Sequence, residues 1–244
     1  AMPILAFDTT QQACSAAISH AGAVLAHRHE LMQRGHAEQL LPMIEAVRQQ
    51  AGIDFAELNL LAVTIGPGTF TGVRVGLAAA RALALVHALP ILGVNTLELL
   101  AQAVVQSETL GAIQTQPAAG GGIIAAIDAR RGELYTQTFD GAGQALTEAS
   151  AMKLGAKAKA PAATFNPASG LIVGTGAALL QAELPDWRIV EGGEQPDAAV
   201  LALAAEAWRH RASRWPPAPL YLRAPDARLP AEAPNPPPNS LPPK

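Results

Sequence analysis

The sequence predicts an α/β protein of two lobes, each a mixed sheet flanked by helices. Three observations predict this. The stretch from Ile4 to His29 reads as three short strands joined by tight turns. Helical spacing then alternates with short buried apolar runs as far as Gln106. A weaker version of the same order follows Gly122.

Ile4 to Phe7 is an apolar run short enough for a buried strand, and Asp8-Thr9-Thr10 turns the chain. Cys14 to Ser19 and Ala23 to His29, separated by Ala21-Gly22, complete an antiparallel meander. From His36 to Gln50 the apolar residues Leu40, Leu41, Ile44 and Val47 fall at helical spacing. Leu60 to Ile65 is a buried strand, Gly66 to Gly72 a glycine-rich loop, and Thr71 to Ala88 a long helix. Pro90 to Val94 is the next strand, and Thr96 is placed to cap a helix running to Gln106. A meander followed by two crossover units gives a mixed sheet with helices packed on it, the element order of the ribonuclease H-like fold.

In the second half, strands are expected at Gly122 to Ala126, Glu133 to Phe139, Leu171 to Val173 and Trp187 to Val190. The last helix is expected from Ala198 to about Arg211. The expected organisation is a first lobe over 2–106, a linker over 107–121, and a smaller second lobe over 122–214. The last helix of that lobe has the option of packing back on the first. Trp215 to Lys244 carries eleven of the twenty prolines, so its distal part is expected to lack regular structure.

Composition narrows the function classes. A net charge of −3 gives no general basic surface for nucleic acid, so any RNA contact needs a local patch or another subunit. The single cysteine, Cys14, excludes an internal disulfide and a cysteine-based zinc site, and suits a reducing cytoplasmic setting. No apolar run reaches the roughly 20 residues that span a bilayer, so no membrane association is expected. The start lacks a basic region followed by an apolar core, so no secretion signal is expected, and Met2 is the expected native first residue.

Four strings bear on phosphate chemistry. Asp8-Thr9-Thr10 stands where a carboxylate and a hydroxyl residue could face phosphates and metal, or where an Asx turn closes a hairpin. It lacks the glycine that close phosphate approach favours. Gly66-Pro67-Gly68-Thr69-Phe70-Thr71-Gly72-Val73-Arg74-Val75-Gly76 follows a strand and opens a helix. Such a start can hold an anion, or its glycines can serve close packing. It is no P-loop, because the Gly-Lys-Ser/Thr ending is missing. Asp128-Ala129-Arg130-Arg131-Gly132-Glu133 is a charged turn in the second half, read as a second phosphate turn or as a paired hairpin tip. Gly174-Thr175-Gly176 ends a strand nearby. Asp8, Thr9, Thr10, Gly66, Gly68, Thr69, Asp128, Arg130, Arg131, Gly174 and Gly176 are therefore the candidates for a residual nucleotide or phosphate cleft.

The helix after Gly72 is apolar on nearly every face, with small residues Gly72, Gly76, Ala79 and Ala80 that allow close approach. It is read as a helix-to-helix interface with another subunit, the other reading being complete burial within this chain. The interface candidates are His36, Leu40, Leu41, Ile44 and Val47 on one helix, and Val73, Arg74, Leu77, Ala80, Arg81, Ala84 and His87 on the other. Glutamate at Leu77 or Ala80 is expected to abolish partner binding. His27 and His29 share one strand face, but two ligands without a third give no metal site, and His36-Ala37-Glu38 lacks the second histidine of a metallopeptidase helix. No catalytic nucleophile arrangement emerges, and Cys14 reads as core.

Taken together, Ile4 to Thr10, His36-Ala37-Glu38-Gln39-Leu40-Leu41-Pro42 and the run from Gly66 to Gly76 resemble the TsaB (YeaZ) family. Asp128 to Tyr135 and Pro219-Leu220-Tyr221-Leu222-Arg223 match less specifically. The resemblance implies two actin-like lobes of the ribonuclease H-like superfamily of sugar kinases, heat-shock ATPases and actin. It implies a noncatalytic scaffold or activating subunit of the complex that transfers threonylcarbamoyl to N6 of adenosine 37 in tRNA. It implies partnership with the catalytic paralogue TsaD and the ATPase TsaE, and self-association when alone. It further implies no tightly held cofactor, ATP and Mg being used by the complex, and tRNA contact only through that complex. The rival readings are a small-molecule kinase or ATPase of the same superfamily and a metallopeptidase.

Overall fold

The structure, a computed structural model, describes residues 2–107, 121–155, 169–211 and 216–223. The meander forms as expected: β1 (Ile4–Asp8), β2 (Ala13–His20) and β3 (Ala23–Leu31). The crossovers follow as α1 (His36–Ala51), β4 (Leu60–Gly66), α2 (Phe70–His87), β5 (Ile91–Asn95) and α3 (Thr96–Val105). The second half holds β6 (Gly122–Arg130), β7 (Glu133–Phe139), β8 (Ser150–Lys153), β9 (Gly170–Val173), α4 (Ala177–Gln181), β10 (Arg188–Ile189) and α5 (Ala198–Trp208).

Two five-stranded sheets result, ordered β3-β2-β1-β4-β5 and β8-β7-β6-β9-β10. The orders are superimposable: an antiparallel meander, then two parallel strands added beside its first strand. The fold is therefore the ribonuclease H-like unit built twice, as in the two actin-like lobes.

Alternation on β1 sorts the layers. Leu5 and Phe7 face α1 and α2 in one core, and Ile4 and Ala6 face α5 in another. α3 lies between the sheets. Its Leu99 joins the first lobe, while Leu97, Leu100 and Val104 join the core of the second. α4 and Trp187 cover the far side of the second sheet.

Several details differ from the sequence reading. Asn95, not Thr96, caps α3, because its carbonyl Oδ1 accepts the Leu97 N–H at 2.9 Å. β8 and α4 were not expected; β8 reads Ser-Ala-Met-Lys, too short and polar to stand out, and owes its form to pairing with β7. α5 ends at Trp208 and continues as a short 3₁₀ turn to Arg211. Most of the expected linker (108–120) and the distal proline-rich tail (224–244) lie outside the described residues.

A segment beyond α5 ties the molecule together. Residues 216–223 run along α2 as a strap. The Leu220 N–H bonds to the Ile65 carbonyl at 2.8 Å, and Arg81 donates to the Pro217 carbonyl at 2.8 Å. Tyr221 stacks on Phe70 and accepts from Arg74 Nε at 3.1 Å. Arg223 then pairs with Glu133 of the second lobe at 3.0 Å.

Candidate functional site

A cleft of about 730 Å³ opens between the lobes. Gly68, Thr69 and Arg74 line it from the first lobe, Asp128 and Arg130 from the second, and Tyr221 and Arg223 from the strap. Of the expected phosphate residues, Gly68, Thr69, Asp128 and Arg130 thus meet in one place. Asp8, Thr9, Thr10, Gly66, Gly174 and Gly176 do not. They are buried behind the cleft wall, as turns packed on their own lobes. Arg131 stands at the hairpin tip, outside the lining. Sequence reasoning missed Gln11, Gln12, Thr175 and Gln195, which also line the cleft. The signal for Gln195 is a long-range one, its Oε1 accepting the Gln12 N–H at 2.9 Å.

The reason Asp8 is withdrawn is local. It ends β1 at 0% exposure. Its Oδ1 accepts the Thr10 hydroxyl at 2.7 Å and the Thr64 hydroxyl, and its carboxylate faces the Thr10 N–H at 3.3 Å. The Asx-turn reading of this hairpin is the one realised. Burial pushes the Asp8 carboxyl up to about 6, against the lowering effect of those hydroxyl bonds.

That shift has a pH signature. A raised folded-state value favours the protonated form, so the stabilising contribution is complete below about pH 4 and is lost as pH rises through about 6. Asp8→Asn keeps an acceptor for the two hydroxyls and removes the buried charge. It should stabilise the protein by about 3 kcal/mol at pH 7 and give no gain at pH 4. Chemical denaturation of both proteins at the two pH values checks this; a loss of stability at pH 7 would refute it.

The glycine-rich run is used for packing. The Thr69 N–H bonds to the Thr10 carbonyl at 2.8 Å, the Thr69 hydroxyl accepts the Gly72 N–H at 3.1 Å, and the Thr9 hydroxyl donates to the Gly72 carbonyl at 2.7 Å. The first turn of α2 is therefore plugged by the β1–β2 turn. A Cβ at Gly68 would strike the Thr10 carbonyl, and one at Gly72 the Thr9 carbonyl. These glycines bring α2 onto its own sheet, not onto a partner helix. On the opposite side of the cleft, Asp128 accepts the Arg130 N–H at 2.8 Å and pairs with its guanidinium at 3.1 Å. The paired hairpin tip is thus realised there.

The interface expectation needs correction. Leu40, Ile44, Val47, Val73, Leu77 and Ala80 are at most 2% exposed and form the core between α1, α2 and the first sheet. Helical spacing named the apolar stripe correctly, but the sheet takes that stripe. Ala84 packs partly on the same core, His36 reaches the Gln11 carbonyl at 3.0 Å, and His87 stacks on Phe55. Arg74 and Arg81 are exposed but hold the strap. The large apolar side chains that α1 and α2 show to solvent are Leu41 (54% exposed), Phe70 (58%), Leu85 (86%) and Val86 (74%), of which Phe70 is stacked on the strap's Tyr221. Glutamate at Leu77 or Ala80 would therefore break the core rather than an interface.

Cys14 is fully buried, and burial pushes its thiol up to about 12, so it is no nucleophile.

Fold and site together define a protein of the two-lobed ribonuclease H-like class whose Asp8–Thr10 turn is buried and hydrogen-bonded within its own lobe. The family model for TsaD, tRNA N6-adenosine threonylcarbamoyltransferase, matches residues 26–171. The protein is similar to the tRNA threonylcarbamoyladenosine biosynthesis protein TsaB of Escherichia coli, 43% identical over 134 residues, 55% of this chain and 53% of the relative. The TsaB protein of Haemophilus influenzae is 38% identical over 134 residues, 55% of this chain and 52% of the relative. The chain thus spans about half the length of the curated relatives it matches. The solved structure of YeaZ from Pseudomonas aeruginosa superposes with a TM-score of 0.73 at 27% identity, covering 91% of this chain and 100% of that one. The chain belongs to the TsaB (YeaZ) family.

Proposed function

We propose that this protein is a noncatalytic scaffold subunit in the cytoplasmic synthesis of threonylcarbamoyladenosine, acting on adenosine 37 of tRNA through a complex. Its main partner is the catalytic paralogue TsaD. The ATPase TsaE joins the complex, which consumes ATP and Mg. The relatives' names support the pathway, and the buried turn supports the noncatalytic part. The observation that carries the reading is Asp8, sealed beneath Thr10 and Thr64 where a kinase of this superfamily needs an accessible carboxylate.

The docking surface is the exposed side of α1 and α2, marked by Leu41, Leu85 and Val86. Large apolar side chains left in solvent on neighbouring helices suit a partner surface. The same surface serves self-association when the partner is absent. Cleft groups such as Arg74 and Arg223 are engaged by Tyr221 and Glu133, which weakens any claim on phosphate.

Two measurements test the reading. Co-purification with TsaD from the same source should give a stable heteromer, and calorimetry of the isolated chain with MgATP should give neither micromolar binding nor turnover. Rapid ATP hydrolysis by the isolated chain would restore the kinase reading. Failure to capture TsaD would remove the scaffold.

A further inference from the structure

We propose that His27, His29 and Asp197 form a site for a divalent transition-metal cation, zinc by the chemistry of its donors. The two histidines stand two residues apart on β3, so strand alternation brings both rings to one face. Asp197 arrives from the far end of the sequence, as the residue that caps α5. One ring nitrogen of each histidine and a carboxylate oxygen of Asp197 all lie within 4.8 Å of one another. The imidazole rings are tilted by 58° with centroids 6.3 Å apart, so they converge on the carboxylate instead of stacking.

Protein hydrogen bonds explain only part of this arrangement. His27 Nε2 meets Asp197 Oδ1 at 2.8 Å. His29 Nδ1 is 3.4 Å from Oδ2, yet it is buried and makes no hydrogen bond of acceptable geometry. The ring nitrogen thus has only this long ion-pair contact with Asp197, and a metal ion held between the two would give it a full partner. Supporting contacts hold the carboxylate: Oδ1 accepts the Ala199 N–H at 2.7 Å, and the Ser15 hydroxyl accepts the neighbouring Ala198 N–H at 3.0 Å. Outer contacts of this kind fix ligand orientation.

The donor set selects the ion. Two imidazoles and one carboxylate suit zinc, cobalt or nickel, whereas magnesium and calcium prefer all-oxygen sites. β3 is an edge strand and the His27 side chain is 34% exposed, so a fourth position is open to water. The ion would join the rim of the first sheet to the start of α5, and so fasten α5 to the lobe it packs on. The site lies apart from the α1–α2 surface and shares no lining residue with the interlobe cleft.

The test uses the full chain, dialysed against a chelator and then titrated with zinc sulfate by calorimetry and with cobalt by visible absorbance. The expected result is about one equivalent bound at about 1 µM or tighter, with a rise in melting temperature. His27→Gln and His29→Gln should each weaken binding at least about 100-fold, and Asp197→Asn, which retains an acceptor for the helix cap, about 10-fold. His36→Gln should bind as the parent does. Far-ultraviolet circular dichroism shows that each variant is folded. The site is refuted if the parent takes up no zinc, or if His29→Gln or Asp197→Asn binds as tightly as the parent.

Discussion

A Leu85→Glu, Val86→Glu double variant should lose capture of TsaD by about 100-fold or more while melting within a few degrees of the parent. Both side chains are mostly in solvent at the end of α2, 86% and 74% exposed, so the folded monomer loses little when they change. A docked partner, by contrast, would have to bury two carboxylates without counter-charges, at about 3 kcal/mol or more. Ala80→Glu is the informative contrast. Ala80 is fully buried between α2 and the sheet, so its carboxylate would be trapped in the folded monomer. That penalty is comparable with the roughly 5–15 kcal/mol that holds a domain together, and the variant should fail to fold. Pull-down and thermal melting of both variants separate the two surfaces. A double variant that captures TsaD normally would move the interface off α2.

The second large effect is expected at Gly72. Replacing glycine by alanine within a helix usually gains about 1 kcal/mol in intrinsic propensity. Here the added Cβ would press into the Thr9 backbone carbonyl and crowd the Thr69 hydroxyl at 2.6 Å. Backbone cannot step aside as a side chain tip can, and overpacking of this kind costs about 3 kcal/mol. Gly72→Ala should therefore destabilise the protein by about 2 kcal/mol net. The same change at Gly76 meets the Thr9 hydroxyl at 2.9 Å, a side-chain atom that can yield by loosening its bond to the Gly72 carbonyl where a backbone carbonyl cannot, and should be milder. Urea denaturation of the two variants gives the ranking; equal stability for Gly72→Ala and the parent would mean that α2 sits further from the β1–β2 turn.

The fold was legible where local signals and burial agreed. β1 to β5 and α1 to α3 came from apolar runs, turn residues and helical spacing that all favoured the same element. β8 and α4 were not legible, since one is a polar strand formed by pairing and the other is only five residues long. At the site, the glycine-rich run announced its importance but not its use. Glycine permits both phosphate approach and backbone packing, and only the facing Thr9 and Thr10 decide between them. α2 posed a similar ambiguity. An all-round apolar helix does not say which stripe the sheet will take, and the sheet took the stripe of Val73, Leu77 and Ala80. Asp197 was invisible as a companion of His27 and His29, because only the return of α5 to the first sheet brings them together.

The strap over α2 makes the two halves mechanically dependent. Its anchors at Arg81 and Arg74 sit on α2, the helix proposed to dock the partner, and its last anchor, Arg223, grips the second-half hairpin at Glu133. Opening the cleft would tug α2 lengthwise, and a companion gripping α2 would resist that tug. Assembly and cleft width should then report on each other, so that a probe across the cleft would sense whether a companion is bound.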